Sequence, residues 1–372
     1  MQIIIAAGGT GGHLLPALAL AQEFKSAGIT TMVIGKTTAI LQSEFQKAGI
    51  PFQEIPVVRL PRKKTEIFLF PFRAGQAFFS AAACLWRFRP SAVIGMGGYT
   101  CAAPATVSAL LRIPLYFCEQ NLLPGKVTRA FSRVSSAVFT SFPGSSAYLR
   151  TKRILEFGNP LRLFPEKDKK ITARQKLKLD EKKFTVLILG GSQGAHRINL
   201  NISESLNYLS PQEIQFIHLT GANDLSMTAE TYAGKNFKNY TKGFFPEMGL
   251  LYSAADLVIG RAGATTIAEL NFFGLPSILI PYPFAAENHQ YLNANYLAER
   301  GAAVLREESS LNGEKLAREI KALSGDRQKL NLMAKNSQQL SHPEPARRIA
   351  SFILSDCARR SYRRRQGYSG HS

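Results

Sequence analysis

Acidic residues are scarce in this chain: 26 Asp and Glu stand against 46 Lys and Arg, a formal charge of +20. That balance implies an anionic partner, whether nucleic acid, phospholipid or phosphorylated substrate. The basic residues fall into three groups, Arg59–Lys64, Lys167–Lys183 and Arg359–Arg365, and not into one stripe with interleaved aromatics. No recognised binding module accompanies them, so no nucleic-acid partner is expected. Cysteines are few: Cys84, Cys101, Cys118 and Cys357 sit apart with no CxxC, as reduced structural thiols of a cytosolic protein do. No cluster has zinc spacing, and there is no Asp-x-Asp; the nearest pattern, Glu166-Lys167-Asp168, lies in the lysine-rich run. No metal and no cofactor are therefore expected. No Gly-Lys-Ser/Thr follows a glycine loop, which excludes a Walker A site. No basic segment precedes Ile3, so no signal peptide is expected, and no apolar run approaches about 18 residues, so no bilayer span is expected either.

What is present is a well-hydrophobic chain (45%) of 372 residues, enough for two domains with separate cores. Two glycine-rich turns, Gly8–His13 and Gly190–Ala195, each follow a β-branched run and open a helical pattern. A strand turning on glycines into a helix N-terminus presents backbone N–H groups suited to phosphate. Neither turn completes G-x-G-x-x-G: counted from Gly9, the last glycine would have to stand at Leu14. The halves repeat weakly. Ala92–Gly98, a small-residue helix, Pro114 and a strand ending in Glu119-Gln120-Asn121 match Leu257–Gly263, a helix, Pro276 and a strand ending near Glu287–Gln290. Alternating strands and helices predict an α/β protein of two Rossmann-like domains with parallel sheets facing across a cleft, ligands lying at the carboxyl ends of the strands. The expected bounds are residues 1–160, 161–340, a helix over 341–357 packing on either domain, and a basic, disordered tail over 358–372. The charged run to Lys183 reads as a solvated linker.

His13 opens the first helix, where the dipole favours the neutral imidazole that suits a general base; a capping or packed ring would occupy the same place. Glu119 and Asn121 end a strand and should face the cleft. Arg162, after Gly158-Asn159-Pro160-Leu161, could neutralise a leaving diphosphate or be a surface arginine. Ser192 adds a hydroxyl to the second turn. Glu269, early in a helix, could accept both ribose hydroxyls or simply complement the helix dipole. Between Ile67 and Phe88 the chain is unusually aromatic, and Phe72, Phe79 and Trp86 recur at sevens on one helix face. With Phe68 and the flanking cations, Arg73 among them, this face fits an interfacial surface on anionic lipid; core packing claims the remaining rings.

Gly8–His13, Gly95-Met96-Gly97-Gly98-Tyr99, Glu119-Gln120-Asn121, Gly158–Arg162, Gly190–Ala195, Arg261–Glu269 and His289-Gln290 occur together in the order of one family. From Met1 to about Leu354 the chain resembles the peptidoglycan N-acetylglucosaminyltransferases of glycosyltransferase family 28. The resemblance implies a GT-B fold with the C-terminal helix returning to the first domain. It implies transfer of GlcNAc from UDP-GlcNAc to the MurNAc 4-hydroxyl of lipid I (undecaprenyl-pyrophosphoryl-MurNAc-pentapeptide), giving lipid II with inversion. By matching positions, Ser192 and the turn Ala264, Thr265, Thr266, Ile267 and Ala268 would meet diphosphate and uridine. Phe245 would meet uracil through backbone, Glu269 the ribose, Gln290 the GlcNAc, and Arg162 the phosphates. Thr10, Gly11 and Gly12 would lie at the sugar and acceptor diphosphate with Asn121 nearby. His13 is the expected base or acceptor-orienting group, with Glu119 its rival. Partners implied are UDP-GlcNAc, lipid I, an anionic phospholipid surface and cell-wall synthesis proteins, at the cytoplasmic face of the inner membrane. Two positions depart from the family: Cys118 stands where histidine often precedes Glu-Gln-Asn, and His289 replaces the first of two glutamines. Competing readings are a GT-B transferase acting on diacylglycerol, a UDP-sugar epimerase on a similar fold, and a non-catalytic UDP-sugar- or lipid-binding subunit.

Overall fold

A computed structural model describes residues 1–9, 11–58, 61, 64–161, 168–191 and 194–365. The chain divides into two compact units, Met1–Arg162 with His342–Ser372, and Leu163–Ser341. The first contains β1 (Gln2–Gly8), α1 (Gly11–Ser26), β2 (Thr30–Lys36), α2 (Ala39–Lys47), β3 (Phe52–Glu54), α3 (Lys64–Phe88) and β4 (Ala92–Gly95). It continues through α4 (Ala102–Leu110), β5 (Leu115–Glu119), α5 (Lys126–Phe131), β6 (Ala137–Thr140) and β7 (Ile154–Glu156). The second contains α6 (Lys170–Lys176), β8 (Phe184–Leu189), α7 (His196–Ser205), β9 (Ile214–Leu219), α8 (Leu225–Gly234), β10 (Asn239–Lys242) and α9 (Met248–Ala254). There follow β11 (Leu257–Gly260), α10 (Ala264–Phe273), β12 (Ser277–Leu279), α11 (His289–Ala298), β13 (Ala303–Leu305), α12 (Gly313–Gly325) and α13 (Arg327–Gln339). The last helix, α14 (Pro345–Arg365), belongs to the first unit.

Both sheets are parallel throughout, in the orders β3-β2-β1-β4-β5-β6-β7 and β10-β9-β8-β11-β12-β13. Each is therefore doubly wound, with its order reversing beside its own first strand: between β1 and β4, and between β8 and β11. Such a sheet is buried on both faces, which is why its strands read as unbroken apolar runs. Successive side chains of β1 serve opposite layers. Ile3, Ile5 and Ala7 pack with α1 and with Ile349, Ala350 and Ile353 of α14. Ile4 and Ala6 pack with Ala81, Cys84 and Leu85 of α3 and Ala105 of α4. The four cysteines are free and buried.

Three expectations need correction. Within α3, Ile67–Phe88 is an unbroken helical stretch of 22 residues with mean hydropathy 1.3, long and apolar enough to cross a membrane by length and composition alone. Reading unbroken apolar runs missed it, because Pro71, Arg73, Gly75 and Gln76 interrupt the run without ending the helix. One face of that helix is nevertheless committed to the core, and re-exposing Leu85 alone would cost about 2 kcal/mol. Secondly, the lysine-rich run is no plain linker. It contains α6, whose Arg174 is buried, donating to the Ala254 and Glu181 carbonyls and pairing with Asp256 at 2.5 Å. Thirdly, α14 continues eight residues past Cys357. Arginine is a good helix former, and Arg360 donates to Asp356 one turn earlier at 2.8 Å. Residues 366–372 lie outside the described residues.

Asp356 also fastens α14 to the sheet. Tyr116 Oη donates to its Oδ2 at 2.7 Å, and Arg153 Nη1 to its Oδ1 at 2.9 Å. Burial alone would raise this carboxyl, but hydrogen bonds from Tyr116, Arg360 and Arg153 outweigh it and hold Asp356 down at about 2.

Candidate active site

In the first domain, the turn after β1 and the turn after β4 flank the reversal of strand order, where doubly wound sheets bind ligands. Gly11 and Gly12 are the first residues of α1, and His13 follows half-buried. Thr10 lies outside the described residues. His13 packs against the β4 turn: a Cβ on Gly97 would stand 3.3 Å from its Cε1, and one on Gly98 3.5 Å from its Nε2. Both glycines have positive φ (84° and 73°), backbone that a side chain would strain, and a Cβ on Gly97 would also press on the ring.

The imidazole has a defined tautomer. His13 Nδ1 lies 3.0 Å from Gln120 Oε1, while Gln120 Nε2 donates to the Cys118 carbonyl at 3.0 Å. Gln120 thus presents its oxygen to the ring, which places the proton of a neutral imidazole on Nδ1 and makes Nε2 its basic nitrogen. The residue that sets the chemistry of His13 is therefore Gln120, the middle of Glu119-Gln120-Asn121. Its signal in the sequence was the polar cluster at a strand end.

Glu119 is buried at the end of β5 and is spent on the loop that follows it. It accepts from the backbone N–H of Asn121 at 3.1 Å and of Gly125 at 3.0 Å, and from Asn121 Nδ2 at 3.5 Å. This geometry gives Glu119 a positioning role and holds half-buried Asn121 beside it.

In the second domain, the turn Gly190–Ala195 after β8 and the turn after β11 flank the other reversal. Ser192 and Arg162 both lie outside the described residues. Gly194, with φ +77°, rests on the next loop so closely that a Cβ would fall 2.2 Å from the Thr220 carbonyl oxygen. That carbonyl accepts from Asn199 Nδ2 at 2.9 Å, and the same nitrogen reaches Asp224 Oδ2 at 2.7 Å. Asp224 Oδ1 meets His196 Nδ1 at 2.9 Å. Behind them, buried His218 bridges Asn199 Oδ1 at 2.9 Å and Tyr232 Oη at 3.0 Å, and burial pushes its imidazole down to about 3. This network, spread over four segments, carries no local signal in the sequence.

Gly263 caps α10, which opens with Ala264. Thr265, Thr266 and Ala268 are half-buried, Ala264 and Ile267 are buried, and Ile267 can offer a ligand only backbone. Glu269 is buried and accepts from Tyr252 Oη at 2.7 Å. Half-buried Phe245 sets its ring edge-on to Tyr240 at 5.7 Å. Gln290 Oε1 accepts from the Tyr282 N–H at 2.9 Å. Arg261, unassigned from sequence, donates to the Ile280 and Pro281 carbonyls at 3.2 Å and pairs with Glu308, fixing the loop that follows β12. Among the described residues no three His, Cys, Asp or Glu side chains group as a metal site.

On α3, Phe68, Phe72, Phe79 and Trp86 are 71–87% exposed, within one narrow stripe opposite the face that meets the sheet. Arg73 beside them is exposed, and Phe78 and Phe88 turn inward.

Two doubly wound domains, each with glycine turns at its own strand-order reversal, make up the GT-B architecture, which glycosyltransferases share with some other sugar-nucleotide enzymes. The comparisons specify it further. Residues 3–140 match the glycosyltransferase family 28 N-terminal domain, and residues 185–349 match the glycosyltransferase family 28 C-terminal domain. A Desulforamulus reducens protein is 39% identical over 92% of this chain and 95% of its own length; one from Myxococcus xanthus is 36% identical over 95% and 92%. Both are named UDP-N-acetylglucosamine--N-acetylmuramyl-(pentapeptide) pyrophosphoryl-undecaprenol N-acetylglucosamine transferase. The crystal structure of Acinetobacter baumannii MurG superposes with a TM-score of 0.76 at 28% identity, covering 95% of this chain and 99% of that one. A UDP-GlcNAc 2-epimerase from Neisseria meningitidis, 15% identical over 95% of this chain and all of its own (TM-score 0.65), shares the fold alone. The chain belongs to glycosyltransferase family 28.

Proposed function

We propose that this enzyme transfers GlcNAc from UDP-GlcNAc to the 4-hydroxyl of MurNAc in lipid I, giving lipid II for peptidoglycan synthesis. The observation that carries this reading is full-length similarity to relatives of one name, spanning both domains and both sets of turns. In an inverting displacement His13 Nε2 takes the proton of the attacking hydroxyl as its oxygen bonds to the anomeric carbon. The bond from that carbon to the β-phosphate oxygen breaks, and UDP leaves with the electron pair. The Nδ1–H···Gln120 bond stabilises the imidazolium that forms. Backbone N–H groups of the second glycine turn and the first turn of α10, with Ser192 and Arg162, would receive the charge on the diphosphate.

The α3 stripe supports a peripheral seat on anionic lipid at the cytoplasmic face of the inner membrane, with Phe68, Phe72, Phe79 and Trp86 at the acyl boundary and Arg73 among the headgroups. Supplying a wall precursor there would link the enzyme to cell shape and division and to other wall-synthesis proteins. The test is transfer of labelled GlcNAc to a soluble lipid I analogue in the presence of EDTA, with diacylglycerol as control acceptor. Transfer to the analogue alone is expected. Transfer to diacylglycerol would overturn the acceptor assignment, and loss of activity in EDTA would overturn metal independence.

A further inference from the structure

After Phe68, the most exposed large apolar side chain among the described residues is Phe284, at 82%. It stands on the loop between β12 and α11, beyond the carboxyl end of the sheet. This loop is held from several sides. Arg261 grips its first carbonyls and lays its guanidinium 5.4 Å from the Tyr282 ring. Ala285 N–H closes a turn onto the Tyr282 carbonyl at 3.1 Å, and Asn288 N–H another onto the Ala285 carbonyl at 2.9 Å. Glu287 and Asn288 then run consecutively through left-handed backbone (φ 50° and 54°), a conformation that costs a non-glycine residue free energy. Ring contact with Tyr282 (5.7 Å between centroids, 71° between planes) fixes the direction in which Phe284 points outward.

Gln290 joins this aromatic pair to the sugar. Its Oε1 is occupied by the Tyr282 N–H, so its amide nitrogen is what it offers a ligand, as a donor to hydroxyl oxygen. An amide donor tied to the same loop as an outward aromatic pair matches a pyranose with equatorial hydroxyls at its rim and axial C–H bonds on its face.

We propose that Phe284, backed by Tyr282, is a specificity-determining residue that takes the apolar face of the donor's hexosamine ring. The inference rests on the donor-sugar role of Gln290 in the proposed function. It adds a preference by configuration: the axial, α-linked diphosphate lies on the H3/H5 side of the ring and leaves the H2/H4 face to the aromatic contact; an axial 4-hydroxyl projects from that same face, so the contact favours UDP-GlcNAc over UDP-GalNAc.

The experiment compares Phe284→Ala, Phe284→Tyr and Gln290→Ala in steady-state transfer, with UDP inhibition and melting temperature measured alongside. Phe284→Ala is expected to raise KM for UDP-GlcNAc about threefold to tenfold, the range of an aromatic contact, and to narrow discrimination against UDP-GalNAc. Inhibition by UDP, KM for the acceptor and melting temperature should stay unchanged, and Phe284→Tyr should restore the parent values. An unmoved KM for UDP-GlcNAc, an equal rise in the UDP inhibition constant, or a rise in acceptor KM alone would overturn the proposal. If Gln290→Ala raises KM for UDP-GlcNAc while Phe284→Ala does not, the Phe284 contact fails and the Gln290 role stands. If neither raises it, both fail.

Discussion

The two domains share a strand order and a pair of glycine turns at its reversal, yet their surfaces differ sharply. Of the 46 Lys and Arg, 25 lie in the first domain against 8 of the 26 acids; the remaining 21 and 18 lie in the second. Nearly all of the excess positive charge thus belongs to the domain that also carries the exposed aromatic stripe. The second domain is close to neutral overall and invests its polar groups in internal networks around its turns, such as Asn199–Asp224–His196. Under the proposed function, one topology serves two anionic partners: an extended lipid surface, to be met by dispersed cations and rings, and a compact diphosphate, to be met by backbone N–H groups and a few fixed side chains.

Substitutions can break this division. His13→Ala should lower kcat by about 10²–10⁴ while UDP affinity, which the proposed function assigns to the second domain, stays intact; activity within a few-fold of the parent would remove His13 as the base. Phe72→Asp with Phe79→Asp should weaken binding to anionic vesicles by about tenfold or more and again spare UDP affinity. Unchanged cosedimentation would separate the stripe from lipid. Asp356→Asn should destabilise the first domain by about 2 kcal/mol, since two exposed arginines and one buried tyrosine lose a common acceptor. With its carboxyl held below the usual carboxylate range, Asp356 contributes stability that is present above about pH 4 and lost as pH falls through about 2. Denaturation of parent and variant at pH 6 and pH 2 should show the difference shrinking.

The smallest effect concerns the second domain. His218 is buried and neutral, with its folded value depressed to about 3, so its contribution is present above about 6.5 and declines as pH falls toward 3. His218→Gln should flatten the acid slope of the second domain's melting temperature over that window. An unaltered slope would mean that other groups govern it.

How much of this was legible in the sequence depended on the range of the interaction. Strand, turn and helix starts at Gly8–His13 and Gly190–Ala195 are local, and β-branched runs followed by glycines announce them. The lysine-rich run hid α6 because Arg174 pairs with Asp256, 82 residues away, and only that pairing distinguishes a buried arginine from a solvated one. The tautomer of His13 depends on Gln120, 107 residues on. The arginines after Cys357 read as a charge run, although the helix through them is anchored at Asp356 to Tyr116, 240 residues earlier. Of the candidate site, the turns and the residues near them were readable, and the side chains that orient them were not. Thr10, Arg162 and Ser192 remain assignments by resemblance.

The return of α14 to the first sheet has a consequence for how the protein is made. The second domain is one uninterrupted segment, Leu163–Ser341, and its core can close as soon as that segment has left the ribosome. The first domain is begun earlier but completed later. The layer formed by Ile3, Ile5, Ala7 and α1 lacks Ile349, Ala350, Ile353 and Cys357 until α14, which follows the whole second domain in the chain, is synthesised. During translation, therefore, the segment of the first domain up to Arg162 precedes the helix that covers one side of its sheet, and the whole segment of the second domain emerges between the two.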